Sequence, residues 1–230
     1  NPRIIIEYNV NENVINEIKR PFFELTNEFT KEEDELIDEL IIKFKVAIKK
    51  RVPKQKFGIL FSGGIDSTLI AFICKNLGLD FICYTAALDD GNFSESSDLV
   101  YSKEIAKKYD FDLKVAKLNL VQVEEKLKII CPLIESNTVV KAGVGLTIFA
   151  ACEEAKKDDI RVMFSGLGSE ELFAGYERHK MTSNVNNECL SGLMKLFERD
   201  TYRDDVITMY HGQELRSPFL DIDLIKLSLQ

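Results

Sequence analysis

Phe57-Gly58-Ile59-Leu60-Phe61-Ser62-Gly63-Gly64-Ile65-Asp66-Ser67-Thr68 is the stretch that decides the fold of this chain. Phe57 to Phe61 is a short apolar run that suits a buried strand, and it leads straight into two glycines. From Thr68 to Leu77 the pattern is helical, and Gly78 ends it. A strand that turns through glycines into a helix aims backbone N–H groups at one point, where an anion is favoured. Gly63 and Gly64 reach backbone angles closed to other residues and let a ligand come close, while the hydroxyls of Ser62, Ser67 and Thr68 add donors. Asp66 would repel a bare phosphate, so its place beside such a nest points to a bridging Mg²⁺. A plain glycine turn between strand and helix would need neither Asp66 nor Ser67. Two other phosphate loops are excluded, because the chain has no GxxxxGK[ST] and no GxGxxG after this strand.

The same order recurs on both sides of the loop. Upstream, Leu36, Leu40, Phe44 and Ile48 recur every four residues and predict a helix opened by Thr30, with Glu33 completing a capping box and Pro53 as the stop. Downstream, strands are expected at Asp80 to Thr85, Leu113 to Leu118 and Ile160 to Phe164. Helices are expected at Ser94 to Tyr109, Val121 to Ile130 (closed by Pro132) and Val144 to Lys157. Nearly continuous apolar strands alternating with helices predict an α/β fold, a parallel sheet covered on both faces. Residues 1–29 read as a lead-in with a short strand at Ile4 to Tyr8, and residues 30–230 as one domain that turns helical and more polar after Gly175. In such a sheet, ligands bind beyond the carboxyl ends of the strands, where Ser62 to Ser67 lies.

Composition narrows the partners. A net charge of -8 opposes general nucleic-acid binding, and the basic stretch from Lys43 to Lys56 reads as a solvated helix end. No apolar run approaches the length of a membrane span, and the first residues lack the order of a signal peptide. The five cysteines contain no CxxC and sit in apolar surroundings, which suggests buried thiols in a reducing, cytoplasmic compartment. His179 and His211 are too isolated to build a metal cluster.

A second glycine loop follows the expected strand at Ile160 to Phe164. It reads Ser165-Gly166-Leu167-Gly168-Ser169-Glu170-Glu171-Leu172-Phe173-Ala174-Gly175-Tyr176, now with paired carboxylates. Further on stand Arg203-Asp204-Asp205 and His211-Gly212-Gln213-Glu214-Leu215-Arg216-Ser217-Pro218-Phe219-Leu220-Asp221. The first loop resembles the SGGxDS signature of the PP-loop ATP pyrophosphatases. The later segments resemble SGxGxDExFxGY and HGxExRxPFLD of the asparagine synthetase family's synthetase domain. The resemblance runs from about Phe22 to Asp221.

The resemblance implies a three-layer PP-loop (adenine nucleotide alpha hydrolase-like) fold with a helical C-terminal extension. It also implies a two-step, AMP-forming ligase that uses ATP and Mg²⁺. Aspartate's side-chain carboxylate would attack the α-phosphorus, releasing pyrophosphate, and ammonia would then give the amide and AMP. By position, Ser62, Gly63, Gly64, Asp66, Ser67 and Thr68 would hold the β and γ phosphates. Tyr84 and Thr85 would meet the adenosine through their backbone, with Ser165 and Gly166 completing the nucleotide site. Asp66 and Glu170 would hold Mg²⁺, and Arg216 with Glu214 would brace the site, contact substrate or form a structural ion pair. Glutamine-dependent members carry a separate glutaminase domain. None is expected before Thr30 here, so ammonia would come free or from a separate glutaminase subunit, and a homodimer is compatible with this reading.

The chain departs from the family at two positions. Leu167 stands where asparagine synthetases carry Glu and β-lactam-forming relatives carry Tyr, and a leucine cannot accept a proton. Glu170 replaces the usual Asp and keeps the charge on a longer arm. The family's late lysine would fall beyond Gln230. Leu167 keeps two alternatives open, another AMP-forming amide ligase with a different carboxylate substrate and a non-catalytic nucleotide-binding module.

Overall fold

A computed structural model describes residues 4–19, 31–89 and 96–229. The expected strand at Ile4 to Tyr8 is present as β1 (Ile4–Asn9), but it pairs antiparallel with an unforeseen β2 (Val14–Lys19) to make a separate two-stranded hairpin. Helix α1 runs Glu33–Lys49, with Glu32 at its N-cap and no side-chain cap bond, so the helix opens two residues later than the capping box expected. Thr30 itself lies outside the described residues.

The domain is a five-stranded parallel sheet in the order β5-β4-β3-β6-β7. Its elements follow in the chain as β3 (Phe57–Leu60), α2 (Ile65–Asn76), β4 (Phe81–Leu88), α3 (Ser97–Tyr109), β5 (Leu113–Leu118), α4 (Leu120–Leu133), α5 (Val139–Lys157) and β6 (Val162–Phe164). After β6 come α6 (Ser169–Leu172), α7 (Glu177–Lys180), α8 (Val185–Leu196), a π turn (Phe197–Thr201), α9 (Tyr202–Tyr210), β7 (Glu214–Arg216), a 3-10 turn (Pro218–Leu220) and α10 (Ile222–Ser228). Strands β3, β4 and β5 build the sheet outward in one direction. The chain then returns, and β6 docks on the other side of β3. The sheet therefore reverses its direction of growth between β3 and β6, and a crevice opens there at the strands' carboxyl ends.

Alternation along the strands separates two cores. Phe57, Ile59, Cys83, Val162 and Phe164 face α1, α2 and α10, where Phe44, Ile48, Ile70 and Leu224 are buried. Ile82, Tyr84 and Met163 face α4, α5 and α9, against Ile130, Phe149 and Ile207. This is the three-layer arrangement that the apolar strands predict. Gly58 is required by it, since a Cβ there would lie 2.4 Å from Met163 Sδ.

Several boundaries differ from the sequence reading for local reasons. Helix α2 begins at Ile65, not Thr68, because Gly64 already serves as its N-cap. Helix α4 ends at Leu133 with Pro132 inside its last turn; the proline removes one N–H, but Ile134 N still donates to Ile130 O at 2.9 Å. Helix α5 starts at Val139, five residues before the expected Val144. The C-terminal part is helical as expected except for β7, which joins the sheet edge. The basic stretch is more than a solvated helix end: Arg51 Nη1 lies 2.7 Å from Asp221 Oδ2, and Lys50 Nζ lies 3.2 Å from Asp221 Oδ1. These bonds tie the end of α1 to the start of α10. Cys74, Cys83, Cys152 and Cys189 are buried free thiols, as the sequence suggests, while Cys131 is half-buried.

Candidate active site

Both glycine loops leave neighbouring strands at the reversal point, and they close on one cavity of about 480 Å³. That size suits a small-molecule site, for which about 300–1,000 Å³ is usual. Its walls include Ser62, Asp66 and Ser67 from the first loop, Tyr84 and Thr85 from the middle of β4 (which runs three residues past the expected strand end at Thr85), and Ser165, Gly166, Leu167 and Glu170 from the second loop. The loops come into contact because Gly166 has no side chain, and a Cβ there would sit 3.0 Å from Asp66 Cβ.

The first loop is held by its own hydrogen bonds. Gly64 N donates to Ser62 Oγ at 3.2 Å, Ser62 N to Ser67 Oγ at 3.3 Å, and Thr68 Oγ1 to Gly63 O at 3.1 Å. Gly63, at φ 76°, needs the freedom of glycine, and its Cα faces the Ser102 backbone so closely that a Cβ would lie 2.7 Å from Ser102 Cα. Gly63, Gly64 and Thr68 therefore shape the loop from behind, whereas Ser62, Asp66 and Ser67 face the cavity. Asp66 and Ser67 belong to the first turn of α2, where the helix N-terminus favours an anion.

Arg216 is not brought into this cavity. Its backbone O accepts from Ser165 N at 3.0 Å, but its guanidinium makes a two-pronged pair with Glu214 at 3.0 and 3.1 Å and donates to Arg51 O. The arginine lines a different hollow, on the far side of the β7 edge, with Lys50, Arg51 and Asp205. Of the readings open for Arg216 and Glu214, the structural ion pair is the one present.

Carboxylates dominate the cavity electrostatically. Burial pushes the Asp66 carboxyl above its ordinary value, and the neighbouring charge of Glu170 adds to this against a hydrogen bond from Ser169. Glu171, also raised chiefly by burial, is bonded to Tyr176, whose phenol is raised by burial and by its hydrogen bond to Glu170. Asp204 is 3% exposed, and burial pushes it up to about 6 although Arg203 pulls the other way. The motifs that contain Glu171, Tyr176 and Asp204 do not by themselves assign these residues to the site; the packing of α6, α9 and the start of α7 brings them to the cavity lining.

The donor set fits a divalent cation bound together with phosphate. Asp66 and Glu170 place two mutually repelling carboxylates on facing loops. Among the described residues, no group of three or more His, Cys, Asp and Glu side chains could hold a metal ion alone. Mg²⁺ commonly takes one or two carboxylates and completes its shell with substrate oxygens and water, so Asp66 and Glu170 are a pair that could hold it beside a bound phosphate. Among the same residues, no helix is long and apolar enough to cross a membrane.

Comparisons with known proteins place the sequence in a family. The sequence profile of the family described as asparagine synthase matches residues 39–196. A putative glutamine-hydrolyzing asparagine synthetase of Methanocaldococcus jannaschii is 34% identical over 192 residues, covering 80% of this chain and 34% of that protein. The glutamine-hydrolyzing asparagine synthetase of Rattus norvegicus is 33% identical over 189 residues, covering 79% and 34%. The chain thus spans about a third of the length of the curated relatives it matches. Among solved structures, an NH3-dependent NAD synthetase from Campylobacter jejuni superposes with a TM-score of 0.41 at 15% identity, covering 80% of this chain and 97% of that one. With its profile match and its relatives above 30% identity, the chain belongs to the asparagine synthase family.

Proposed function

We propose that this chain cleaves ATP between the α and β phosphates to activate a carboxylate, with the side chain of aspartate as first candidate, and then forms an amide with ammonia. The observation that carries the reading is the meeting of two glycine loops from adjacent parallel strands over one acidic cavity. In the first step the carboxylate oxygen attacks the α-phosphorus, and pyrophosphate leaves with the bridging electron pair. In the second, ammonia attacks the acyl carbon, AMP leaves, and the nitrogen loses a proton.

The residues divide this work by position. Ser62, Ser67 and the first turn of α2 hold the pyrophosphate, with Gly63, Gly64 and Thr68 fixing the loop's shape. Strand β4, at Tyr84 and Thr85, takes the adenosine through backbone groups, because the Tyr84 phenol is already committed to Asp158 at 2.7 Å. Ser165 and Gly166 close the site from the second loop. Asp66 and Glu170 would hold Mg²⁺, whose charge would offset that of the leaving pyrophosphate.

Leu167 supports a second reading. It is half-buried and lines the cavity, so the position associated with the amine step offers no proton acceptor. Another AMP-forming amide ligase, acting on a different carboxylate, fits the same residues. Exchange of labelled pyrophosphate into ATP separates these readings. Aspartate-dependent exchange supports the first and exchange with another acid only supports the second; ATP binding without exchange for any acid would reduce the chain to a nucleotide-binding module.

A further inference from the structure

A second hollow, of about 340 Å³, lies apart from the acidic cavity, between α4, α5 and the end of α9. Its volume falls within the range usual for small-molecule sites. Aromatic rings make its floor: Phe149 meets His211 edge-on at 4.4 Å, and Tyr210 stands 5.5 Å from Phe149 and 5.3 Å from His211. Phe149 and His211 are buried, while Tyr210 and Ile129 leave apolar surface open to a ligand. His211 is 6% exposed, and neither of its ring nitrogens has a hydrogen-bond partner among the described residues. Burial, helped by Lys156 and Lys126 and opposed by Glu153, pushes the imidazole down to about 4. The ring is therefore neutral at neutral pH and offers one N–H and one lone pair. A buried polar group without a bond is uncommon and calls for a partner.

The rim of the hollow is charged. Helix α4 lends Glu125 and Lys126, and α5 lends Glu153 and Lys156. Lys126 Nζ lies 2.6 Å from Glu153 Oε2 and 5.4 Å over the Phe149 ring, so this pair is satisfied internally. Glu125 and Lys156 are exposed, and neither has an ion-pair partner among the described residues. A simple ion of either sign would meet only one of these two charges. No group of three or more His, Cys, Asp and Glu side chains gathers here for a metal among the described residues. A flat molecule that carries both an ammonium and a carboxylate meets the whole set.

We propose that this hollow binds a small aromatic zwitterion, an aromatic α-amino acid whose carboxylate pairs with Lys156 and whose ammonium pairs with Glu125. Its ring lies against Tyr210 and Ile129 and turns a polar hydrogen toward His211. The site does not depend on the ligase reading, but α5 joins the two: Val144, Ile148 and Ala151 wall the acidic cavity, and Phe149 and Glu153 line the hollow.

The chain contains no tryptophan, so added L-tryptophan is the sole indole emitter in a titration of the full chain. Its emission is expected to move to the blue and to saturate as the ring enters the hollow. Tryptamine, which has no carboxylate, and indole-3-propionate, which has no ammonium, should each bind about tenfold more weakly, as for loss of a hydrogen bond to a charged group. Lys156→Gln should weaken tryptophan and indole-3-propionate by about tenfold and leave tryptamine unchanged. Glu125→Gln should weaken tryptophan and tryptamine and leave indole-3-propionate unchanged. His211→Phe keeps the ring contacts without the nitrogens and should weaken all three ligands alike. Both rim residues are exposed, so their variants should melt as the parent does. No saturable shift with tryptophan overturns the proposal. A shift that both rim variants leave intact also overturns it, because the ligand then sits elsewhere. Either failure leaves the ligase reading untouched, since that reading stands or falls on pyrophosphate exchange.

Discussion

Replacing Gly166 by alanine tests whether the two glycine loops act as one site. The added Cβ would lie 3.0 Å from Asp66 Cβ and 3.5 Å from Ser67 N. Carbon atoms in good contact stand about 3.5–4.0 Å apart, so the loops must part by about 0.5–1 Å. Helix α2 cannot easily retreat, because Ile70, Ala71 and Cys74 on its inner face are fully buried. Overpacking of this kind costs about 1–3 kcal/mol, and a misplacement of about 1 Å at a reacting centre costs about 100-fold in rate. We therefore expect Gly166→Ala to lower kcat/KM for pyrophosphate exchange by about 10- to 100-fold while urea denaturation shows a loss of about 1–2 kcal/mol. Gly143→Ala is the control: it lies on an exposed turn of α5 with nothing within 4 Å of its Cβ position. Alanine there should stabilise the helix by about 0.5–1 kcal/mol. A folded Gly166→Ala enzyme with wild-type exchange would refute the claim that the loops meet at the reacting geometry.

Gly63→Ala combines a left-handed φ of 76° with a Cβ 2.7 Å from the backbone of α3, and should cost about 2–4 kcal/mol in urea denaturation; a loss well under 1 kcal/mol would show that the loop and α3 move apart freely. Asp66→Asn should abolish the stabilisation of the protein by Mg²⁺ and ATP while leaving the melting temperature of the metal-free chain unchanged or higher. The sign follows from burial, which raises the Asp66 carboxyl in the folded state, so the wild-type fold loses stability as pH rises from the unfolded-state value through the raised one; a lower metal-free melting temperature at neutral pH would contradict this. Asp221→Asn should lose about 1–3 kcal/mol at neutral pH, because it breaks the pairs with Arg51 and Lys50 around a carboxylate 5% exposed. Burial alone would raise Asp221, but the bonds from Arg51 and Lys50 outweigh it and hold it low, so wild type and variant should converge in acid, as pH falls through that depressed value.

Strands and loops differ in how much of their structure the sequence reveals. Phe57 to Phe61 is apolar on both faces because β3 lies between β4 and β6 and beneath helices on each side, and such a run is visible without a structure. β7 is three residues long, Glu214-Leu215-Arg216, at the sheet edge with one strand beside it. Its two charged residues pair with each other, so the segment carries no apolar signature. The start of α2 was obscured in another way: glycines followed by Ile65, which is 81% exposed, look like a loop, although Gly64 has already taken the extended N-cap angles φ -62° and ψ 166°.

The site shows the same division between what is local and what is not. Ser62, Asp66, Ser67, Ser165 and Glu170 are legible because each follows a strand end directly, and the sheet order then brings the two strand ends together. Arg216 also follows a strand end, yet its side chain turns from the cavity, since Glu214 two residues earlier lies on the same face of β7 and captures it. Asp204 went unassigned for the opposite reason. It sits in mid-helix, where a carboxylate next to an arginine and another acid looks like a solvated surface, and only the packing of α9 against α5 turns it inward. Local chemistry therefore marks the groups proposed to meet the phosphates, whereas the acid that α9 turns inward depends on how the last helices fold back. Leu167 shows both kinds at once: its lack of a proton acceptor is plain in the sequence, but that it lines the cavity depends on where the second loop meets the first.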